Sequence, residues 1–261
     1  MKRLCWISLI AWFTLIACQV DRRVENVQQP VQVLRASTET LSDTGKWVAT
    51  EAISPPAPSH DTLAWRTDYS QLRSEIKTKR ATFQQAYARA DSAQKDSIRQ
   101  AAAKYLTRII PEKLLPFWYG TPWDFNGYSN RPREGVIACG YFVSTPLKHI
   151  GWPINRYRVA QKDATSIIQT LSGHTQTWRD SNELLQHLQK QPNSLYIVGL
   201  TNHVGFLWVK EGEVYFIHSS YHDPVAVAQE IAAESPVFLW SDIYVIGDVM
   251  DEAGMLDDWL L

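Results

Sequence analysis

Three residues of this chain have the types and spacing to do chemistry together: Cys139, His203 and His218. Cys139 opens the mostly apolar run Ile137-Ala-Cys-Gly-Tyr-Phe-Val143. A cysteine at the head of a helix is a candidate nucleophile, because the unpaired N–H groups and partial positive charge of that helix end favour its thiolate. A thiol with an unshifted pKa near ~8.5 still needs a base. His203 is the best candidate, since it begins the apolar stretch Val204-Gly-Phe-Leu-Trp-Val209 just after a Thr-Asn turn. His218 follows fifteen residues later. If the two segments pair as a hairpin, it comes close to His203 across the ladder, where its ring can share the hydrogen bond that fixes the His203 tautomer. Asp223 is the rival for that orienting role, and His222 reads as a loop histidine. The chemistry such a set permits is amide hydrolysis by covalent catalysis. His203 takes the thiol proton, the thiolate attacks a carbonyl, and the backbone N–H of Cys139 with one side-chain donor meets the oxyanion. His203 and His218 have neither a cysteine pair nor a nearby acidic ligand at a convincing spacing, so no metal or cofactor is called for.

The elements that must hold these residues follow from periodicity. A helix from Cys139 to about His149 is closed by Gly151, and Pro146 inside it predicts a kink or early break. Residues 195–200, 203–209 and 213–218 read as strands, with Lys210-Glu211-Gly212 as a tight hairpin loop that makes the last two antiparallel neighbours. Residues 238–246 read as a further strand, 163–171 as a helix, and 180–189 as a helix with Asp180 as N-cap and Glu183 at its third position. Upstream, Trp65, Tyr69, Leu72, Ile76, Phe83 and Tyr87 recur at mostly helical spacing, and a second helix begins near Asp91-Ser92 and ends before Pro111. The pair forms a helical hairpin that could shield one side of the catalytic unit or bind an envelope protein partner. Between hairpin and cysteine lies Leu115-Pro-Phe-Trp-Tyr-Gly-Thr-Pro-Trp-Asp-Phe-Asn-Gly127, too rich in rings, Gly and Pro for a regular helix.

The 261 residues have ordinary globular composition, 45% hydrophobic and 20% charged, which fits one folded domain with an appendage. A net charge of -1 gives no support for nucleic-acid binding. Lys2 and Arg3 precede an apolar stretch from Leu4 to Ala17 that is too short to span a bilayer as an ordinary helix. The stretch ends Leu15-Ile16-Ala17-Cys18, which resembles a bacterial lipoprotein signal in which Cys18 receives a diacylglyceryl thioether before cleavage. Gln19 after it is similar to the outer-membrane pattern of Gram-negative lipoproteins, which implies a lipid-anchored protein on the outer membrane facing the periplasm. With Cys5 removed and Cys18 lipidated, Cys139 is left as the one thiol of the mature chain. Residues 18–59, broken by Pro30, Pro55, Pro56 and Pro58, read as a tether, with a short strand around residues 46–50 as an alternative.

The site region resembles the NlpC-type members of the papain-like cell-wall cysteine peptidases. Gly120-Thr-Pro-Trp-Asp-Phe-Asn-Gly127, Ile137-Ala-Cys-Gly-Tyr-Phe-Val143, His203-Val-Gly-Phe-Leu-Trp and Phe216-Ile-His218 match in order and approximate spacing, over about residues 115 to 246. The resemblance implies an α+β fold in which the nucleophile-bearing helix packs on an antiparallel sheet, here preceded by the helical hairpin. It implies cleavage of peptidoglycan stem peptides by Cys139, His203 and His218. The family's usual Asp-Cys-Ser-Gly stands here as Ala138-Cys139-Gly140-Tyr141, and Trp123 stands where a tyrosine commonly faces the oxyanion. Trp123, Tyr119, Tyr128 and Tyr141 are therefore the oxyanion or substrate-contact candidates. The expected organisation is a signal peptide over 1–17, a tether over 18–59, the hairpin over 60–112 and the catalytic domain over 113–261. The competing readings are a non-catalytic envelope lipoprotein that binds murein or a partner through the same cleft, and another acyl-transfer enzyme on this fold. A transglutaminase-like pattern would expect an aspartate where His218 falls.

Overall fold

The computed structural model describes residues 38–41, 47–50, 62–250 and 255–261. The signal segment, Cys18 and most of the tether lie outside them. Strands β1 (Thr38–Leu41) and β2 (Trp47–Thr50) pair antiparallel, with Thr38 opposite Thr50 and Leu41 opposite Trp47. They belong to a unit of their own, residues 1–54, and the remainder forms a second unit.

The second unit begins with two helices, α1 (Thr62–Arg89) and α2 (Ser92–Ile109). The Asp91 carboxylate accepts from the Gln94 N–H while the Gln94 side chain returns a bond to the Asp91 N–H, so the turn between the helices is fixed by a capping box. Pro111 ends the regular ladder as expected, and the chain continues through a wide turn at Ile110–Leu114 and a 3-10 turn at Leu115–Trp118. Then come α3 (Cys139–His149), α4 (Arg156–Ala160) and α5 (Ala164–Leu171). Strand β3 (Thr175–Trp178), α6 (Ser181–Leu188), and strands β4 (Ser194–Gly199), β5 (Val204–Lys210), β6 (Glu213–Ser219) and β7 (Val227–Ile231) follow. Helix α7 (Pro236–Leu239), strand β8 (Tyr244–Asp248) and helix α8 (Met255–Leu260) end the chain. The fold is α+β. Its sheet is six-stranded and antiparallel throughout, in the order β3-β8-β4-β5-β6-β7, with helices packed against it.

Both faces of the sheet are covered, which is why β5 is buried at every position from Val204 to Val209. Val204, Phe206 and Trp208 point into the core shared with α1, α2, α3, α5 and α8, while Leu207 and Val209 join the core under α6 and α7. The helical hairpin contributes Tyr69, Ile76, Tyr87, Ala102 and Leu106 to the first of these cores. A hydrogen-bonded chain links it to the cysteine helix: Trp118 Nε1 donates to the Tyr69 hydroxyl (3.1 Å), which lies 2.9 Å from His149 Nδ1, and His149 Nε2 lies 3.1 Å from Asn130 Oδ1. Burial and the nearby Arg73, Arg156 and Lys148 charges push His149 down to about 3, so the ring is neutral and its Nδ1 accepts a hydrogen bond from the Tyr69 hydroxyl.

Two local expectations change. Helix α3 runs unbroken through Pro146, because every residue from Phe142 to Leu147 is buried and tertiary packing offsets the lost backbone bond. The stretch read as one strand over 238–246 divides into a helix and a later strand. The Ser235 side chain accepts from the Phe238 N–H and Pro236 occupies the first helical position, an N-terminal signal that outweighs the apolar run. Among the described residues, no helix is long and apolar enough to cross a membrane.

The tail is part of the fold. Trp259 is fully buried, its Nε1 donates to the Ile150 carbonyl (2.8 Å), and its own carbonyl accepts from Arg80 (2.6 Å). Trp259→Ala is expected to lower the unfolding free energy by about 3–5 kcal/mol in urea denaturation. Leu261, 81% exposed, should tolerate alanine within about 0.5 kcal/mol.

Candidate active site

The site assembles where the start of α3 meets the loop between β4 and β5. The polar Thr201-Asn202 turn is closed by the Leu200 N–H donating to the His203 carbonyl (2.8 Å), so His203 stands immediately before β5 rather than within it. Glu211 (φ 53°) and Gly212 (φ 82°) form the two-residue β5–β6 loop, and positive φ at both is the backbone that matches strand twist. The resulting register puts His218 opposite Gly205. A Cβ at position 205 would fall 2.6 Å from the Phe216 ring and 2.9 Å from the His218 Cβ. The glycine of His203-Val-Gly205 therefore leaves the room in which the two imidazoles meet.

They meet closely: His203 Nε2 lies 2.9 Å from His218 Nδ1, with the rings edge to face. The far nitrogen of His218, Nε2, lies 3.0 Å from Glu230 Oε2 on β7. Ser235, the N-cap of α7, donates its hydroxyl to the same carboxylate oxygen. His203 is 3% exposed and His218 is wholly buried, with the Phe216 ring stacked on it at 4.0 Å. Burial, aided by the His218 charge, holds His203 well below the ordinary histidine value. Burial also lowers His218, although Glu230 pulls the other way through its hydrogen bond and charge. For Glu230, burial alone would raise the carboxyl, but the bonds from His218 and Ser235 and the charges of His218 and His222 hold it below the usual carboxylate range. At neutral pH the group is thus two neutral imidazoles and one carboxylate.

Cys139 is positioned by the aromatic segment before it. Residues 120–123 run beside β7, with Gly120 N–H donating to the Val227 carbonyl, Val227 N–H to Thr121 and Trp123 N–H to Val225. The Ile137 N–H donates to the Pro122 carbonyl (2.9 Å), the Ala138 N–H to Gly127 (2.8 Å), and the Ser219 hydroxyl at the end of β6 to the Ile137 carbonyl (2.7 Å). A Cβ on Gly127 would sit 2.6 Å from the Ile137 nitrogen, so only glycine allows this crossing. Gly140 is equally constrained, since a Cβ there would lie 2.6 Å from the Ala160 carbonyl of α4. That approach accounts physically for Gly140 where the resembled family carries serine. Buried Arg156 donates to the carbonyls of Tyr128 and Ser129 and to Thr145 Oγ1, tying the loop to α3 and α4.

Cys139, Gly140, His203 and Val204 line one groove of about 240 Å³, with Lys162, Asp163 and Asn202 among its polar walls. Burial pushes the Cys139 thiol up, and it outweighs the opposite influence of the backbone N–H groups of Val204, Gly140 and Cys139 itself. This reverses the expectation from the helix terminus alone: the site holds a neutral thiol beside a neutral imidazole, not a ready-made thiolate. No protein-family model, curated protein or solved structure matches the chain.

The remaining candidates stand apart from that groove. Trp123 packs on Tyr221 (6.1 Å), whose ring in turn meets His203 (5.3 Å). The Tyr119 hydroxyl donates to Gln229 Oε1 (2.7 Å). Tyr128 is exposed against Tyr141, and the Tyr141 hydroxyl accepts from Gln161 (3.4 Å). None of these four lines the groove. Asp223 is exposed in the β6–β7 loop, and the carboxylate that reaches the histidine pair is Glu230 instead. Glu230 lies on β7, whose sequence Val227-Ala-Gln-Glu-Ile231 has no apolar–polar alternation to mark it as a strand. Among the described residues, no group of three or more His, Cys, Asp or Glu side chains is placed to hold a metal ion.

The raised thiol makes a measurable claim. The rate of Cys139 alkylation by iodoacetamide should climb with pH to a midpoint above the ordinary ~8.5 of a free cysteine. A midpoint below neutrality would mean a thiolate–imidazolium pair at rest and would contradict the neutral site.

Proposed function

We propose that this chain is a lipid-anchored cysteine peptidase or amidase on a papain-like, NlpC-type fold, hydrolysing an amide bond of peptidoglycan stem peptides through a Cys139 thioester. The observation that carries this reading is the shared groove of Cys139 and His203, with the far side of the His203 ring engaged by His218. His203 takes the thiol proton as the sulfur attacks the scissile carbonyl. The oxyanion draws on the backbone N–H of Cys139 at the head of α3, and the imidazolium then protonates the departing amine. Water, deprotonated by the same ring, clears the thioester. A neutral thiol suits this general-base route, because proton removal and attack proceed together.

The groove's polar walls fit a peptide with charged ends. Asp163 is held below the usual carboxylate range by its bonds to Ser166, so it carries negative charge, and its neighbour Lys162, whose ammonium donates to Thr170 Oγ1 (2.7 Å), lines the same groove. The anchor at Cys18 and the periplasmic setting rest on the N-terminal sequence alone. The raised thiol also favours one other reading, a non-catalytic envelope lipoprotein that grips murein in the same groove.

Digestion of purified sacculi separates them. The unaltered protein should release muropeptides identifiable by mass, while Cys139→Ala and His203→Ala release none and Cys139→Ala still sediments with sacculi. Equal product from Cys139→Ala would overturn the thioester; sedimentation without product from the unaltered protein would leave the binding role.

A further inference from the structure

The histidine pair is two residues of a longer chain of hydrogen bonds, and its end is what gives the chain a direction. Glu230 stands opposite Phe216 in the β6–β7 register, one diagonal step from His218, which stands opposite Ala228. Across that diagonal its Oε2 reaches His218 Nε2 at 3.0 Å. The Ser235 hydroxyl donates to the same oxygen, and Ser235 is itself fixed by its role as N-cap of α7. An ionised carboxylate has no proton to give, so His218 must present Nε2–H to it. A neutral imidazole carries one ring proton; with Nε2 protonated, His218 Nδ1 is a bare lone pair. His203 Nε2, 2.9 Å away, must then be the donor. By the same count, His203 Nδ1 is left unprotonated.

We infer that Glu230 is a positioning residue that acts through His218, locking both rings as Nε2–H tautomers so that His203 Nδ1 is the base for Cys139. The significance of the free nitrogen rests on the hydrolase reading above; the tautomers do not. Glu230 has a second effect. When the buried His203 ring takes the thiol proton, the new positive charge lies one imidazole away from the half-buried Glu230 carboxylate, so the proton acceptor, His218 and Glu230 together become neutral. Without the carboxylate, the imidazolium would be an uncompensated charge in a dry setting. The charged or titratable groups around this line are His203 before β5, His218 on β6, Glu230 on β7, and Tyr221 and His222 in the β6–β7 loop, with Cys139 at the head of α3 and Lys162 and Asp163 on the groove that His203 lines. His222 lies with its ring against Trp240 and its Nδ1 buried without a partner, and it supports the ionised form of Glu230 from the other side.

Long-range proton–nitrogen NMR of the full chain with labelled histidine reads the tautomers with no substrate present. At neutral pH, His203 and His218 should each carry their proton on Nε2. Glu230→Gln can still accept from His218 Nε2–H, so it should keep those tautomers while the pH at which the pair takes up a proton falls by about a unit or more, the carboxylate's charge having gone. Glu230→Leu, which can accept nothing, should give mixed tautomers at His218. Ser235→Ala leaves the carboxylate in place and should preserve both tautomers, which guards against a trivial folding loss. Finding the His203 proton on Nδ1 in the unaltered protein, or unchanged titration in Glu230→Gln, would overturn the proposal. In the sacculus assay, Glu230→Gln should lower kcat about 10-fold or more with KM little moved. An active parent whose Glu230→Gln form keeps full kcat overturns the positioning role, whereas an inactive parent with the stated tautomers removes only the hydrolase reading.

Discussion

The constraint on which the rest of this structure depends is a line of polar groups running from buried His203 and His218 to half-buried Glu230. Unpaired polar groups in a protein interior cost about 1–3 kcal/mol each, and more when charged, so such a line is tolerated only if every link is made. Three neighbouring strands and the cap of α7 share the work. His203 is set by the turn into β5, His218 by its register against Gly205, Glu230 by its register on β7, and Ser235 by the helix it starts. A one-residue slip of β6 or β7 would send its polar residue to the opposite face of the sheet. The antiparallel ladder and the polar line therefore stabilise each other.

Close backbone approaches bring the sulfur to this line. Gly127 lets the aromatic segment cross the residues before α3, and Gly140 lets α3 lie against the Ala160 carbonyl. The Ser219 hydroxyl then ties the strand that carries His218 to the carbonyl two residues before Cys139. Nucleophile and base are thus held by one connected set of backbone and side-chain bonds, and the hairpin helices reach the same set through Tyr69 and His149. Burial has an electrostatic consequence as well. It disfavours the thiolate and the imidazolium alike, so the resting site is neutral, and charge must be created in the step that uses it.

Much of this was legible from residue pattern. Alternation and turn chemistry placed β4, β5 and β6, because the apolar stretches end at Thr-Asn and Glu-Gly pairs whose backbone preferences are local. The capping residues Asp91 and Asp180 marked helix starts for the same reason. Pro146 did not end its helix early, since its local cost is real but is met by burial on all sides. Residues 238–246 do not form one strand, an apolar run being ambiguous between strand and helix until Ser235 and Pro236 are seen to start a helix. Glu230 was hidden because its strand is short and its partner lies twelve residues away, joined through register rather than spacing.

By itself, the sequence determined which side chains were available to react and in what order along the chain they come: a thiol at the head of a helix, then one histidine at the turn into a strand and another on the next strand. Those are local properties, written in hydrogen-bonding patterns that span a few residues. Tertiary structure alone decided that the thiol is neutral, that the carboxylate beyond the histidines is Glu230 and not Asp223, and that Trp123 and the three tyrosines stand outside the groove. Each of these depends on desolvation or on register between strands, quantities that exist only once distant parts of the chain have packed together.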